Sequence, residues 1–476
     1  MQGKKTFDFI LNNERVSETL PPGMVVLDYL RNIRRMTGTK EGCREGDCGA
    51  CMVLLGRIKN GHIHYQAVNS CLLPVAELEG RHLVTIEGLN TDSLNPIQQS
   101  FLDQSASQCG FCTPGMVVSL TGFYLNSNEF SPQQAVAALD GNICRCTGYA
   151  SIKRAAGLLA EHADQTLAAL NEPQRIELLV EQNILPSWFL TIHDRLANLQ
   201  TTAENIKPQA PPFVAGGTDL FVQQPEALLD KDFQLLTRDE KLAEIRIEDG
   251  HGIIGATVTV DQLHHSPILA GILPGLSADL KLVSSTPIRN RATIGGNIIN
   301  ASPIGDLSII FLALDAELVL GDGSTQRTVP LKDFFLDYKK LDMTKNELLT
   351  EVRFSLPSDG ALFNFEKVSK RTYLDIAGVN SAMLLQTEGD EITKAHISAG
   401  GVAPIPLYLR QTSRLLHGKP LSSDLINEAA QTALSEISPI SDVRGTAAYK
   451  RLLLRQLLFA HFAAFAPEKV RREVLL

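Results

Sequence analysis

Phe7, Phe9 and Leu11 alternate with polar residues, the period of a half-buried strand. Asn12-Asn13-Glu14 follows as a hairpin turn. Residues 28–35 have the pattern of a short helix, and 52–55 and 64–68 read as further strands. From about residue 95 the period changes. Residues 95–103, 116–125 and 152–170 are apolar at helical spacing. Thr113-Pro114 predicts an N-cap with Pro at the first helical position, and Ser131-Pro132-Gln133-Gln134 repeats that start with a capping-box glutamine. Later strands are expected over 252–260 and 316–320, and a long helix over 447–465 that should pack on a core. A β-rich start, a helical middle and a mixed remainder predict an α+β chain of several domains.

Length agrees, since 476 residues exceed one ordinary core. A net charge of −9 gives a nucleic-acid partner no electrostatic support. No run of 18 apolar residues occurs, and the first residues, Met1 to Asp8, show no apolar leader. The expectation is a soluble, cytoplasmic protein with no membrane contact.

Eight cysteines lie between Cys43 and Cys146, and the remaining 330 residues have none. A disulfide framework would spread its bridges more widely, so thiolates that bind metal in a reducing compartment fit better. Cys43, Cys48, Cys51 and Cys71 follow C-x4-C-x2-C with a fourth cysteine after 19 intervening residues, the spacing of plant-type 2Fe–2S ligation. Gly42, Gly46 and Gly49 would permit positive φ and let amides approach the sulfurs. A structural zinc site is the alternative. Cys109-x2-Cys112 and Cys144-x-Cys146 form a second group, each pair just before a helix whose N-terminus favours an anionic cluster. Taken alone, that spacing also suits zinc or a redox-active C-x2-C.

Together the two groups are more specific. Gln108-Cys109-Gly110-Phe111-Cys112-Thr113-Pro114-Gly115 and Gly141-Asn142-Ile143-Cys144-Arg145-Cys146-Thr147-Gly148-Tyr149, following Cys43 to Cys71, closely resemble the xanthine dehydrogenase family of molybdenum hydroxylases. Phe213-Val214-Ala215-Gly216-Gly217-Thr218-Asp219 is similar to one FAD-pyrophosphate loop of that family. The other resembles residues 293–306, with Thr293, Gly296, Asn297, Asn300, Ser302 and Asp306. Paired glycines let main-chain N–H groups close around phosphate oxygens, and the hydroxyl and amide side chains add donors. Asp219 and Asp306, being acidic, should serve sugar hydroxyls. No GxGxxG is present, so the flavin fold is not a Rossmann fold. Where some members place an aromatic residue against the flavin ring, this sequence offers Val283. Lys367, in a segment running to Ala377, matches a flavin-side lysine, its alternative being one of a solvated charge run with Lys370 and Arg371.

The resemblance implies a β-grasp ferredoxin-like domain (1–88), a four-helix 2Fe–2S domain (89–165), a charged helical connector (166–205), a PCMH-type α+β FAD-binding domain (206–358) and a C-terminal α+β domain of the carbon monoxide dehydrogenase flavoprotein kind (362–476). It implies two 2Fe–2S clusters and FAD in this chain, and molybdopterin in a separate large subunit. Electrons from hypoxanthine and xanthine, oxidised to urate, would pass through both clusters and FAD to NAD+, in a dimer of heterodimers. Hydroxylases for aldehydes or other N-heterocycles, and a stand-alone NAD(P)H reductase, are the alternatives. No residue of this chain is expected to catalyse the hydroxylation.

Overall fold

A computed structural model of the chain describes residues 3–199, 212–229 and 231–470. The end of the expected connector, residues 200–205, lies outside them. The described residues fall into two compact units. The first comprises Met1–Glu204, Gly217–Leu235 and Ser285–Arg291, and the second Asn205–Gly216, Leu236–Ser284 and Ala292–Leu476.

The first unit begins with a five-stranded sheet in the order Glu14–Leu20, Lys5–Leu11, His82–Val84, Met52–Lys59, His62–Asn69. Lys5–Leu11 pairs antiparallel with Glu14–Leu20 across the turn at Asn12, whose φ is 52°, and parallel with His82–Val84. The alternation of Phe7, Phe9 and Leu11 buries all three. The short helix expected over 28–35 is instead one α-turn, Val26–Asp28, that widens into a π-turn, Tyr29–Ile33. There the N–H of Arg34 reaches back to the carbonyl of Tyr29 at 3.0 Å, and both Tyr29 and Leu30 are fully buried.

Four helices follow: Pro96–Asp103, Thr113–Asn126, Pro132–Ala137 and Ala150–Glu161. Asn95 and Gln98 form a complete capping box for the first. The second starts one residue earlier than expected, with Cys112 at the N-cap and Thr113 inside the helix, hydrogen-bonded through its hydroxyl to Ser107. Ser131 caps the third helix through the N–H of Gln134. The helix expected over 152–170 stops at Glu161, because the Asp164 carboxylate takes the N–H of Thr166 and opens a separate 3-10 turn, Gln165–Ala169. The stretch expected as a connector contributes Leu167, Leu179, Phe189 and Ile192 to the same apolar core as Phe101, Met116 and Leu120.

The second unit holds an antiparallel five-stranded sheet and an antiparallel four-stranded sheet, Leu362–Val368, Val379–Glu388, Glu391–Gly400 and Leu407–Tyr408. Asp306–Ala313, buried at every residue, packs on the two long strands of the latter. A helix apolar all round has no solvent face to offer. Strand 252–260 proves shorter, His251–Gly255, since Thr259 and Gln262 form a capping box that starts the helix Val260–His264. The expected helix Ala447–Phe465 spans those residues and packs Leu454, Leu458 and Phe462 into the unit's core.

Candidate cluster and flavin sites

Cys51 and Cys71 are buried, while Cys43 and Cys48 are half-buried in the loop before Met52–Lys59. The thiols meet two by two, Cys43 with Cys48 and Cys51 with Cys71. A hydrogen bond from Cys48 holds the Cys43 thiol well below its ordinary range, helped by backbone N–H groups of Glu45, at 3.3 Å, Cys48 and Asp47. The Cys71 thiol similarly lowers Cys51, with Asn69 Nδ2 also directed at that sulfur. Amides of Ala50 and Gly46 face Cys48 and Cys71. Sulfurs ringed by amide donors suit an anionic iron–sulfur cluster. Gly46 and Gly49 have positive φ, +80° and +67°. Gly42 does not; a Cβ there would lie 2.8 Å from Cys48 Sγ, so its smallness serves close approach rather than a left-handed turn.

In the second group Cys146 Sγ lies 3.5 Å from Cys109 Sγ, and Cys112 pairs with Cys144. Cys109 and Cys146 are exposed, next to Phe111, which is 45% exposed; Cys144 is buried. The Thr147 hydroxyl lies 3.2 Å from Cys144 Sγ, and the N–H of Cys144 donates to Tyr149 Oη at 2.9 Å. Among the described residues no three His, Cys, Asp or Glu side chains gather as ligands of a single ion.

The two groups are joined directly. The N–H of Ile143 donates to the carbonyl of Cys48, and Asn142 Nδ2 donates to the carbonyl of Gly49 at 3.2 Å. Ser119 orients that amide by donating to Asn142 Oδ1 at 2.8 Å. A segment 140 residues downstream is held against both domains. Asp140 accepts from Thr286 N at 2.8 Å and from Arg289 Nη2 at 2.6 Å, Asn290 Nδ2 donates to the Ala67 carbonyl, and Arg291 meets the fully buried Glu77 at 3.3 Å. Sequence reasoning missed these residues. Their partners are far apart along the chain, and no local pattern marks an isolated Asp or Arg as half of a pair.

The flavin loops differ from expectation in the use of their amides. The N–H of Gly295 is taken by the Ala256 carbonyl at 2.9 Å and that of Gly296 by Thr293 Oγ1 at 3.0 Å, so neither faces outward. Gly295 is small because a Cβ would stand 2.7 Å from that carbonyl. Asn297 Oδ1 accepts from Ser308 N and Oγ, both at 3.1 Å, which leaves its Nδ2 as a donor. Asn300 Oδ1 accepts from Lys339 Nζ at 2.9 Å, and Ser302 is half-buried. In the first loop Val214 is buried, and Phe213 and Ala215 pack against Leu236, Leu242 and Leu348. Gly216 ends that part. Gly217, Thr218 and Asp219 are counted with the first unit, where the Gly217 carbonyl accepts from Phe221 N and Asp219 precedes the helical turn Leu220–Gln223. Val283 is 4% exposed inside the core, so its side chain offers little surface to a flavin ring.

Lys367 is no member of a solvated run. Its side chain is 2% exposed, and Nζ donates to Asp306 Oδ2 at 2.7 Å and to the Leu282 carbonyl at 2.8 Å. Asn380, its neighbour across the sheet, donates to Asp306 Oδ1 at 2.6 Å. Asp306 thus accepts from Lys367 at one oxygen and from Asn380 at the other. Lys370 and Arg371 are exposed, Arg371 being paired with Asp375.

Four family models match in succession. They are the 2Fe-2S iron-sulfur cluster binding domain over residues 9–76, the 2Fe-2S binding domain over 85–157, the FAD binding domain in molybdopterin dehydrogenase over 190–357 and the CO dehydrogenase flavoprotein C-terminal domain over 365–465. The chain thus carries two 2Fe–2S domains and an FAD-binding domain of the molybdopterin dehydrogenase kind, a domain set consistent with a molybdenum hydroxylase family member. It is homologous to the N-terminal region of xanthine dehydrogenases: 30% identical over 92% of the chain to xanthine dehydrogenase 2 of Arabidopsis thaliana and 28% identical over 98% to xanthine dehydrogenase/oxidase of Rattus norvegicus. The chain spans 38% and 39% of those proteins' lengths. Among solved structures it is similar to the carbon monoxide dehydrogenase of Hydrogenophaga pseudoflava that lacks the Mo-pyranopterin moiety of its cofactor (29% identity, TM-score 0.50, covering 52% of this chain and 86% of that one). It is also similar to reconstituted CO dehydrogenase of Oligotropha carboxidovorans (27%, TM-score 0.51, covering 54% and 90%). Among the described residues no helix is long and apolar enough to cross a membrane.

Proposed function

We propose that this chain is the iron–sulfur and flavin subunit of a xanthine dehydrogenase, and that a molybdenum–pterin centre on a large partner subunit oxidises hypoxanthine and xanthine to urate. Cys43, Cys48, Cys51 and Cys71 hold one 2Fe–2S cluster, and Cys109, Cys112, Cys144 and Cys146 the other. FAD is held in the second unit by the 213–216 and 293–306 loops, the latter ending at Asp306, the partner of Lys367. When bound, these groups supply one-electron carriers and a two-electron flavin. Electrons enter at the exposed second group, continue by the first group to FAD and leave on NAD+.

The observation that carries the reading is the arrangement of thiols in pairs, with Cys109 and Cys146 of one group exposed beside Phe111 and Cys51 and Cys71 of the other buried. A binuclear cluster takes two thiolates at each iron, so pairs of sulfurs suit it better than one zinc ion does. The exposed group beside an apolar ring supports a partner surface and weighs against a stand-alone reductase. The xanthine dehydrogenase relatives favour purine as substrate. Aldehydes or other N-heterocycles are the competing substrates, and the choice would be made in the partner.

The test is metal and flavin content, with an electron paramagnetic resonance spectrum of the dithionite-reduced protein purified with its partner. Four irons, one FAD and two distinct 2Fe–2S signals, with molybdenum in a copurifying large subunit and NAD+ reduced on adding xanthine, are expected. Zinc in place of iron would overturn the cluster assignment. Iron and flavin without a molybdenum partner would favour the reductase.

A further inference from the structure

The helix Asp306–Ala313 carries Asp306 at its N-terminus; its other end opens on a cavity of about 590 Å³ that no flavin residue lines. At 1.5 Å per residue the two ends are roughly 12 Å apart. The volume falls in the range of about 300–1,000 Å³ usual for small-molecule sites.

The lining is unlike the rest of the chain. The protein has a net charge of −9, yet this cavity gathers Lys332, Lys394, Arg410 and Arg414 against the single carboxylate Asp315. Lys332 is engaged by Asp315 at 2.8 Å, and Arg410 by Asp333 at 2.5 Å. Among the described residues neither Lys394 nor Arg414 is within ion-pair distance of a carboxylate, so the positive excess stands at those two. Low-dielectric walls concentrate such a field and attract anions.

Polar side chains, among them Gln386, Thr393 and Ser413, share the lining with apolar ones. Leu314, Leu384 and Ala395 supply aliphatic surface. The Tyr408 ring is fixed by its hydroxyl, which is hydrogen-bonded to His396 Nδ1 at 2.7 Å, and Lys332 Nζ lies 5.6 Å from that ring's centroid. A held aromatic face beside aliphatic walls, with two uncommitted cations at the rim, suits a ligand having the same two parts.

We propose that this cavity is a second ligand site, separate from the flavin, for a small organic anion: a phosphate or carboxylate carried on a flat apolar ring. The charged group meets Lys394 and Arg414, and the ring lies against Tyr408 and Leu384. The test is titration calorimetry of the cofactor-loaded full chain with phenyl phosphate, benzoate and inorganic phosphate. At least one aromatic anion should bind saturably with a stoichiometry of one, and which of the two does so identifies the charged group. Lys394→Ala/Arg414→Ala should weaken it at least tenfold. Both side chains are exposed, and unchanged melting and flavin content would show that the variant folds. Raising the salt concentration should weaken binding as well. No saturable binding of either aromatic anion, or undiminished binding to the double variant, would overturn the site. Inorganic phosphate binding as tightly as phenyl phosphate would overturn the role of the ring.

Discussion

The backbone N–H of Ile143 donates to the carbonyl of Cys48 across 3.0 Å, so the residue before Cys144 is tied to a cysteine of the other group. Two sites that the sequence presents as separate loops are one hydrogen-bonded body. That serves electron transfer between them, because the spacing is set by main-chain atoms rather than by mobile side chains.

Gly49 lies at the centre of this junction, with φ +67° and the Gly141 carbonyl 2.3 Å from where a Cβ would stand. Gly49→Ala should therefore separate the two loops. A left-handed backbone alone costs an alanine about 1–2 kcal/mol, and the clash adds to it. Iron content should fall below that of the parent protein and the melting temperature should drop. Full iron and an unchanged melt would show that the loops do not need this contact.

Asp140 and Arg289 form a buried pair, 5% and 8% exposed, that ties residues 285–291 to the helical cluster domain. Asp140→Ala removes the carboxylate that Thr286 and Arg289 share and should lower stability by about 3–5 kcal/mol. Urea unfolding measures this. A loss below about 1 kcal/mol would mean that Arg289 finds water.

Lys367→Met should likewise destabilise the second unit by about 3–5 kcal/mol, by stranding Asp306, and should weaken FAD retention. Adding Asp306→Asn should recover part of the stability, since the carboxylate no longer needs its counter-ion. A double variant no more stable than Lys367→Met would count against the pair as the cause.

Acid should act through two buried histidines. Burial lowers His82 and His461 from 6.5 to about 3. Burial keeps both neutral, and their hydrogen bonds fix the tautomer. Tyr65 Oη donates to His82 Nδ1, and Asn364 Nδ2 donates to His461 Nδ1, while the Nε2–H groups donate to the Asn12 carbonyl and to Ser381. Between pH 6.5 and about 3 the unfolded chain binds protons that the native chain refuses. Stability is therefore full above pH 6.5 and falls as pH falls, by up to about 1.4 kcal/mol per pH unit for each histidine. His461→Gln should flatten the acid limb of the urea-unfolding profile. An unaltered limb would assign the loss to other groups.

Cys112→Ser tests the electron path. It should remove one 2Fe–2S signal and block flavin reduction by substrate, while flavin reduction by NADH survives. Loss of both reductions together would contradict entry through the second group.

The sequence by itself determined the cysteine groups, the change from strand to helix period near residue 95 and the identity of the cofactor domains. These are local: a ligand loop, a cap or an amphipathic period is complete within a few residues. Gly42 and Gly295 show where local reading stops: the first is expected to permit positive φ and the second to offer its N–H to phosphate, yet each is small to admit a neighbour. Only the tertiary structure decided that Ile143 meets Cys48, that Asp140 meets Arg289 and that Lys367 is buried on Asp306. Those partners are 95, 149 and 61 residues apart. A charged residue carries no mark of its partner until packing excludes water around both, and that exclusion belongs to the fold.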